Sequence, residues 1–212
     1  LAPRPSHLSW AESAAFGLTF LTSWRMLIHR GGLRPGETVL IHGIGGGVSL
    51  ACLQLAKLVG ARVIATSRSE SKLQRALELG ADETLIADDQ VAKAVRGLTG
   101  KRGADVVVDS VGEATWMQSL KAAAKGGRIV TCGATSGPNP AEEIRLIFWN
   151  QLSIIGSTMG SRDDWRQLVS AVGTHGLRPV VDTEMLLAEG KTAYERLERA
   201  DQFGKIVLTI DG

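Results

Sequence analysis

The sequence predicts an α/β fold, a doubly wound parallel sheet of six strands with helices on both faces. Short apolar, β-branched runs recur between residues 38 and 157. Segments with apolar residues at helical spacing lie between these runs, and glycine or polar residues separate the two kinds of segment. Regular alternation of strands and helices is typical of a parallel sheet, because each parallel connection needs a crossover that is usually a helix.

The predicted strands are continuous apolar runs rather than alternating ones. Thr38–His42 reads TVLIH, as expected of a strand that is buried on both faces. The other predicted strands are Arg62–Ser67, Glu83–Ala87, Asp105–Asp109, Arg128–Cys132 and Ser153–Ser157.

The helices are predicted from apolar spacing and from their end signals. Gly46–Val59 carries apolar residues at helical spacing, and Gly60 ends it. Ser69 is the expected N-cap of a helix that runs through Leu79. Further helices are predicted at Gln90–Leu98, near Ala114–Ala124 and near Ala141–Asn150.

Both ends of the chain depart from this alternation, so three segments are predicted. Residues 1–35 hold a proline-containing lead and a helical stretch, Trp10–Arg30. Residues 36–160 form the alternating unit. Residues 161–212 hold a helix near Asp163–Val172, a strand-like Pro179–Thr183, a helix near Glu189–Ala200 and a final strand Lys205–Ile210.

Composition excludes several classes of partner. The 212 residues include 24 Lys and Arg against 22 Asp and Glu, a net charge of +2, which gives no footprint for nucleic acid. No apolar run approaches the roughly 18 residues that a membrane span needs, so no membrane partner is expected. Cys52 and Cys132 form no disulfide framework and no metal cluster, and we expect two thiols in a reducing cytoplasm.

A glycine loop follows the first predicted strand. Ile41–Leu50 reads IHGIGGGVSL, with Gly43, Gly46 and Ser49 at the spacing G-x-x-G-x-x-S. The first glycine permits the turn, and the second lets the backbone approach a pyrophosphate at the helix N-terminus. Ser replaces the usual third glycine but is also small. A phosphate cradle is favoured, and a glycine-rich turn without a ligand remains the alternative.

The end of the second predicted strand bears on the identity of the cofactor. Enzymes that use NAD usually place an acid there to bind the ribose hydroxyls, whereas this chain has Ser67, followed by Arg68 and Ser69, with Lys72 one turn later. A guanidinium, hydroxyls and an ammonium suit a 2′-phosphate, which favours NADP(H). The alternative is a solvated loop in which Ser69 only caps a helix.

With these residues placed, the chain resembles the medium-chain dehydrogenase/reductase superfamily, and within it the quinone oxidoreductase and zinc-type alcohol dehydrogenase-like branches. The similarity spans the whole chain. It is carried by Ala14–Leu27 (AAFGLTFLTSWRML), Leu33–His42 (LRPGETVLIH), Ala104–Gly112 (ADVVVDSVG), Gly126–Gly133 (GGRIVTCG) and Phe203–Leu208 (FGKIVL).

The resemblance implies a Rossmann domain that follows an N-terminal catalytic domain. This chain begins after that domain, which in such enzymes supplies the substrate pocket and any zinc ligands. We therefore expect a separated cofactor-binding part that binds cofactor but turns over little or no substrate. Residues from about 180 onward, which in the family pack on the catalytic domain, are expected to be exposed or rearranged.

The resemblance also implies roles for single residues. Gly46, Gly47 and Val48 match the pyrophosphate loop, and Ser67, Arg68 and Lys72 match the region of the 2′-phosphate. The remaining matches are Thr22 near the nicotinamide, Ser110 and Val111 near the adenosine or ribose, and Gly133, Ala134, Thr158 and Met159 beside the nicotinamide. No catalytic residue is assigned.

A catalytic zinc of the family's pattern is not expected. Zinc-dependent members carry a cysteine ligand four residues before the threonine that Thr22 matches, and this chain has Leu18 there. A leucine cannot bind zinc.

Together with these residues, the resemblance implies the cofactor-binding domain of an NADPH-dependent oxidoreductase that reduces a carbonyl, a quinone or an activated alkene of a small molecule by hydride transfer. Rival interpretations are a non-catalytic module that senses cofactor, a methyltransferase-like binder, and a zinc-dependent alcohol dehydrogenase whose ligands lie in the missing domain.

His42 is expected to pack or to touch the cofactor edge, and Asp109 to be a structural carboxylate. The uncharged edge strand Ser153–Ser157 predicts a homodimer.

Overall fold

The predicted doubly wound sheet is confirmed. The computed structural model describes residues 3–210 of the chain. Its main sheet is parallel and has six strands in the order β3-β2-β1-β4-β5-β6. The strands are β1 (Thr38–Ile41), β2 (Arg62–Ser67), β3 (Glu83–Ile86), β4 (Ala104–Asp109), β5 (Ala123–Thr131) and β6 (Ser153–Gly156).

Helices cover both faces of this sheet. They are α1 (Trp10–Trp24), α2 (Gly47–Val59), α3 (Glu70–Glu78), α4 (Val91–Leu98), α5 (Trp116–Ala122), α6 (Ile144–Trp149), α7 (Arg162–His175) and α8 (Gly190–Glu198). One apolar cluster joins α1, α2, α3 and α7 to the sheet, and a second joins α4, α5 and α6 to its other face.

The strands supply both clusters by alternation of their side chains. In β1, Val39 and Ile41 belong to the first cluster and Leu40 to the second, and all three are fully buried. This two-sided burial explains why the sequence of β1 is continuously apolar.

The lead segment continues into a long helix that packs on α2. Ser9 caps α1 in a capping box with Glu12. The helix passes directly into a π-helical turn, Arg25–Arg30, so helical structure reaches Arg30 as predicted. The hydroxyl of Ser23 donates to the carbonyl of Val48 at 2.9 Å, which fixes α1 against the first turn of α2.

Residues after the sheet form a small parallel pair of strands. These are β7 (Val181–Leu186) and β8 (Lys205–Thr209), which contact α1. Phe203 and Val207 are buried, whereas Leu187 and Tyr194 are more than half exposed. Residues from about 180 onward were expected to be exposed or rearranged. In the structure they are exposed only in part, because one face of the β7–β8 pair packs on α1.

Two predicted helices are shorter than the sequence indicates. The helix expected near Ala114–Ala124 ends at Ala122, because Ala123 already pairs with Ala104 of β4 at the start of β5. A run of alanines fits either conformation, and here their small side chains permit close pairing. The helix expected near Ala141–Asn150 begins only at Ile144, where the Glu143 carboxylate caps it.

No helix among residues 3–210 combines the length and the apolar character that crossing a bilayer requires.

Candidate functional site

A cleft of about 1560 Å³ lies at the carboxyl ends of the central strands. It is lined by the segments that follow β1, β2, β4 and β5. The strand order reverses beside β1, which pairs with β2 on one side and with β4 on the other. Ligands of open α/β sheets bind at such a switch point.

The glycine loop forms the base of this cleft. Gly43 has a φ of +68°, a left-handed conformation that most side chains resist. The Ser49 hydroxyl lies 3.0 Å from the Gly43 carbonyl oxygen and 2.9 Å from that of Gly46, and donates to both. Ser49 therefore holds the loop closed where the usual fingerprint has only a small residue.

The N-terminus of α2 faces the cleft without a side-chain cap. Gly46 occupies the N-cap position of α2 and offers no side chain to its first amides. Amides of a first helical turn have no partner within the helix, and together with the helix dipole they favour an anion. The loop and this helix end can therefore hold a phosphate.

Several basic side chains lie close together where β2 ends. Ser67 is nearly buried, its hydroxyl accepts from the Ser69 amide at 3.2 Å, and Ser69 caps α3 as predicted. Arg68, Lys72 and Arg75 all line the cleft beside these hydroxyls. Burial lowers the pKa of the Lys72 ammonium. The positive charges of Arg68 and Arg75 lower this pKa further, whereas two nearby carboxylates act in the opposite direction.

His42 lies buried at the end of β1. Its Nδ1 lies 3.2 Å from the Thr66 hydroxyl. Burial lowers the pKa of His42, although the Asp109 carboxylate pulls the pKa upward. The ring is therefore neutral at pH 7, a state that suits a packing residue at the edge of the cleft.

Asp109 at the end of β4 is structural. Its carboxylate is fully buried and accepts from the amides of Val111 and Gly112 at 2.9 and 3.0 Å. The hydroxyls of Thr115 and Ser119 also donate to it. These bonds hold the loop Ser110–Gly112 against the cleft.

The cleft brings together most of the predicted site residues. Gly43, Gly46, Gly47, Val48, Ser67, Arg68, Lys72, Ser110, Val111 and Gly133 all line it.

Thr22, Ala134, Thr158 and Met159 are not among the lining residues. Thr22 is buried in α1, and Met159 is about half exposed. Their assignment to the nicotinamide stays a prediction.

Sequence reasoning missed one wall of the cleft. Residues 197–203, at the end of α8 and in the turn that leads to β8, line it together with Lys72 and Arg75 of α3. The resemblance identified FGKIVL only as a closing strand, and no motif indicates that the preceding turn folds back over the glycine loop.

Candidate metal ligands do not cluster in the part of the chain that the structure describes. Among residues 3–210 there is no group of three or more His, Cys, Asp or Glu side chains that could hold a metal ion.

Comparison with known proteins agrees with this architecture. Residues 47–174 match the family model described as zinc-binding dehydrogenase. The zinc-type alcohol dehydrogenase-like protein YogA of Leptosphaeria maculans is 31% identical over 97% of this chain and 60% of its own length. The quinone oxidoreductase of Rattus norvegicus is 28% identical over 98% of this chain and 65% of its own length.

Solved structures share the fold closely. A crystal structure described as an NAD-dependent alcohol dehydrogenase superposes with a TM-score of 0.94 at 45% identity, over 99% of this chain and 62% of that one. The 2-octenoyl-CoA carboxylase reductase CinF, in complex with NADP and 2-octenoyl-CoA, superposes with a TM-score of 0.89 at 28% identity, over 98% of this chain and 51% of that one.

The chain spans less than two thirds of the length of these relatives. The family match covers more than half of the chain, and it includes the first turn of α2, β2, β4 and the cleft-lining segments that follow β2, β4 and β5. The chain therefore belongs to the zinc-binding dehydrogenase family, within the medium-chain dehydrogenase/reductase superfamily that its motifs resemble.

Proposed function

We propose that this chain is the cofactor-binding part of an NADPH-dependent oxidoreductase that transfers hydride to a carbonyl, a quinone or an activated alkene. The observation that carries the proposal is the end of β2, where Ser67 and Arg68 stand in place of an acid and Lys72 and Arg75 line the same cleft. NADP(H) would supply the hydride, and the chain would bind and orient it.

The glycine loop is suited to the pyrophosphate. The uncapped amides at the start of α2 supply donors, and Ser49 fixes the loop that presents them. These groups fit any dinucleotide, so they support a nicotinamide cofactor without selecting between its two forms.

The cations beside β2 support the phosphorylated form. Arg68 forms no ion pair within residues 3–210 and is exposed at the cleft, so its guanidinium is available for bidentate hydrogen bonds to a phosphate. Ser67 and Ser69 add hydroxyls on the same turn. Among the similar structures, one is described as NAD-dependent and another is in complex with NADP. The choice must therefore rest on this chain's own residues, and these favour NADP(H).

We further infer that the substrate wall belongs to a part of the protein outside this sequence. The relatives are longer than the chain, and α1 and β8 present exposed apolar side chains at Trp10, Leu18 and Leu208. On this view residues 1–35 and 161–212 flank the Rossmann unit of residues 36–160 and return to that other part. The isolated chain would then bind cofactor without appreciable turnover.

A homodimer through β6 is part of the same proposal. β6 is an outer strand of the sheet, and Ile154 on it is exposed. The neighbouring α6 exposes Ile144, Phe148 and Trp149. An uncharged edge flanked by apolar side chains is suited to pairing with a second copy.

Free thiols at Cys52 and Cys132 also fit a reducing cytoplasm.

The test follows NADPH oxidation with a panel of aldehydes, quinones and α,β-unsaturated carbonyl compounds. The proposal expects no turnover by the chain alone, and turnover once the catalytic part of a relative such as the quinone oxidoreductase is joined to its N-terminus. Binding of NADPH without turnover by any such fusion would instead favour a non-catalytic cofactor sensor.

A further inference from the structure

The turn between α8 and β8 forms a wall of the cleft, and it is anchored at one end. The Gly204 amide donates to the Gly45 carbonyl in the glycine loop at 2.9 Å. Phe203 is 2% exposed, and its ring lies 4.1 Å from the Arg75 guanidinium of α3. The Phe203 amide donates to the Asp182 carboxylate at 3.0 Å. These contacts fix the wall to the glycine loop, to α3 and to β7.

The other end of the wall is held by Lys72. The Lys72 ammonium donates to the Ala200 carbonyl. The side chain crosses the glycine loop on the way, since a Cβ added to Gly45 would lie 2.8 Å from Lys72 Cδ. Ala200 and its neighbours are exposed, so this bond joins an otherwise open turn to the cleft floor.

The charges around this bond are mixed. Lys72 shares the cleft with Arg68 and Arg75, while Asp201 lies beside Ala200 on the wall. The Asp201 carboxylate pairs with Arg199 at 2.8 Å and also attracts the Lys72 ammonium. The cationic end of the cleft is therefore partly neutralised by the wall.

We propose that the wall Leu197–Phe203 moderates the preference for NADP(H), because its Ala200 carbonyl and Asp201 carboxylate compete with a 2′-phosphate for the Lys72 ammonium. NADPH binds by drawing Lys72 away from the wall, whereas NADH leaves that bond in place. This inference rests on the proposed function, in which Arg68 and Lys72 receive the 2′-phosphate.

The competition has two measurable consequences. Loss of the Lys72 bond frees the last turn of α8, where the amides of Arg199 and Ala200 donate to the carbonyls of Glu195 and Leu197. Their hydrogen exchange should then rise, since local opening sets the exchange rate. Removal of the Asp201 charge should strengthen binding of a 2′-phosphate and leave other ligands unchanged.

The experiment uses the whole chain with 2′,5′-ADP and 5′-ADP, which differ only in the 2′-phosphate. Calorimetry gives their affinities, and mass spectrometry gives hydrogen exchange over residues 197–205. We expect 2′,5′-ADP to bind at least tenfold more tightly and to raise exchange in this segment, and 5′-ADP to leave it unchanged.

Two variants with matched controls separate the contributions. Asp201→Asn should tighten 2′,5′-ADP by about threefold, as expected for a partly exposed charge, with no effect on 5′-ADP. Asp163→Asn, on α7 and outside the cleft, is its control. Lys72→Met should raise exchange of the wall in the free chain and remove most of the preference for 2′,5′-ADP, whereas Lys93→Met on α4 should do neither.

The outcomes distinguish this inference from the function on which it rests. Equal affinities for the two nucleotides overturn both the inference and the preference for NADPH. A clear preference for 2′,5′-ADP, with unchanged exchange of the wall and no effect of Asp201→Asn, overturns the inference alone. Lys72→Met without faster exchange in the free chain also overturns it.

Discussion

The Ser49 hydroxyl donates to the carbonyl of Gly43 at 3.0 Å, across the full width of the glycine loop. The same hydroxyl reaches the Gly46 carbonyl at 2.9 Å. One side chain on the first turn of α2 thus closes the loop that would contact the proposed cofactor. Where the usual dinucleotide fingerprint has a third glycine that only permits close packing, this chain has a residue that also fixes the loop.

Removal of this hydroxyl should weaken cofactor binding. We expect Ser49→Ala to reduce NADPH and NADH affinity alike by about fivefold, which corresponds to about 1 kcal/mol for a lost hydrogen bond. Calorimetric titration measures the effect. Ser13→Ala, which removes a hydroxyl from α1 outside the cleft, is the control. Unchanged affinity in Ser49→Ala would show that the loop holds its shape without this bond.

The Asp109 carboxylate should matter for stability, because it is buried and gathers donors from the loop after β4 and from α5. Asp109→Ala leaves several of these donors without a partner, and we expect a loss of about 3 kcal/mol in the free energy of unfolding. Urea denaturation measures it. Asp88→Ala, an exposed change after β3, should cost much less. A cost below 1 kcal/mol for Asp109→Ala would contradict a structural role.

Asp164 should make stability depend on acid pH. Burial alone would raise its pKa, but hydrogen bonds from the Ser161 amide and hydroxyl, Arg25 and His29 outweigh burial and lower the pKa to about 2. The folded pKa lies below the unfolded value, so the stabilisation is present above the unfolded pKa. It is lost as pH falls from about 4 toward 2, and amounts to about 2 kcal/mol.

The check is the free energy of unfolding in urea at pH 7 and at pH 3. The wild type should lose more stability between these values than Asp164→Asn, which lacks the titrating group. Asp163→Asn, its exposed neighbour, should follow the wild type. Parallel pH dependence of Asp164→Asn and the wild type would refute the assignment.

The β6 edge should control assembly if the proposed homodimer forms. Ile154→Arg places a charge on this exposed edge. Pairing of two sheets would remove water from that charge, which is unfavourable and should prevent the dimer from forming. Light scattering is expected to give a dimer for the wild type and a monomer for the variant. Leu18→Arg, an equally drastic change on the exposed face of α1, should leave the dimer intact. A wild-type chain that stays monomeric at high concentration would disprove the proposal.

The main sheet could be predicted from the sequence because its physical signals are local. Continuous apolar runs gave β1, β2 and β4, and Gly60 and Ser69 marked helix ends that the structure confirms. The predicted end of the helix α5 was wrong, because the run Ala122–Ala124 is compatible with either a helix or a strand.

The sequence predicted the lining of the cleft only in segments that directly follow a strand. Gly43, Arg68 and Ser110 stand at strand ends, and parallel strands bring their ends to one edge. The wall around Ala200 escaped prediction because its place depends on contacts more than a hundred residues apart, such as Gly45 with Gly204 and Lys72 with Ala200. Neither the periodicity nor the spacing of residues along the sequence predicts such long-range contacts.

The most direct test of the account is the affinity of the chain for NADPH and for NADH, measured side by side by calorimetry in the wild type and in Arg68→Asp. Arg34→Asp, an exposed arginine outside the cleft, is the control. The account predicts that NADPH binds at least tenfold more tightly than NADH, and that Arg68→Asp removes this difference, because a charge-assisted phosphate contact contributes about 1.5 to 3 kcal/mol. NADH binding as tightly as NADPH in the wild type would contradict it.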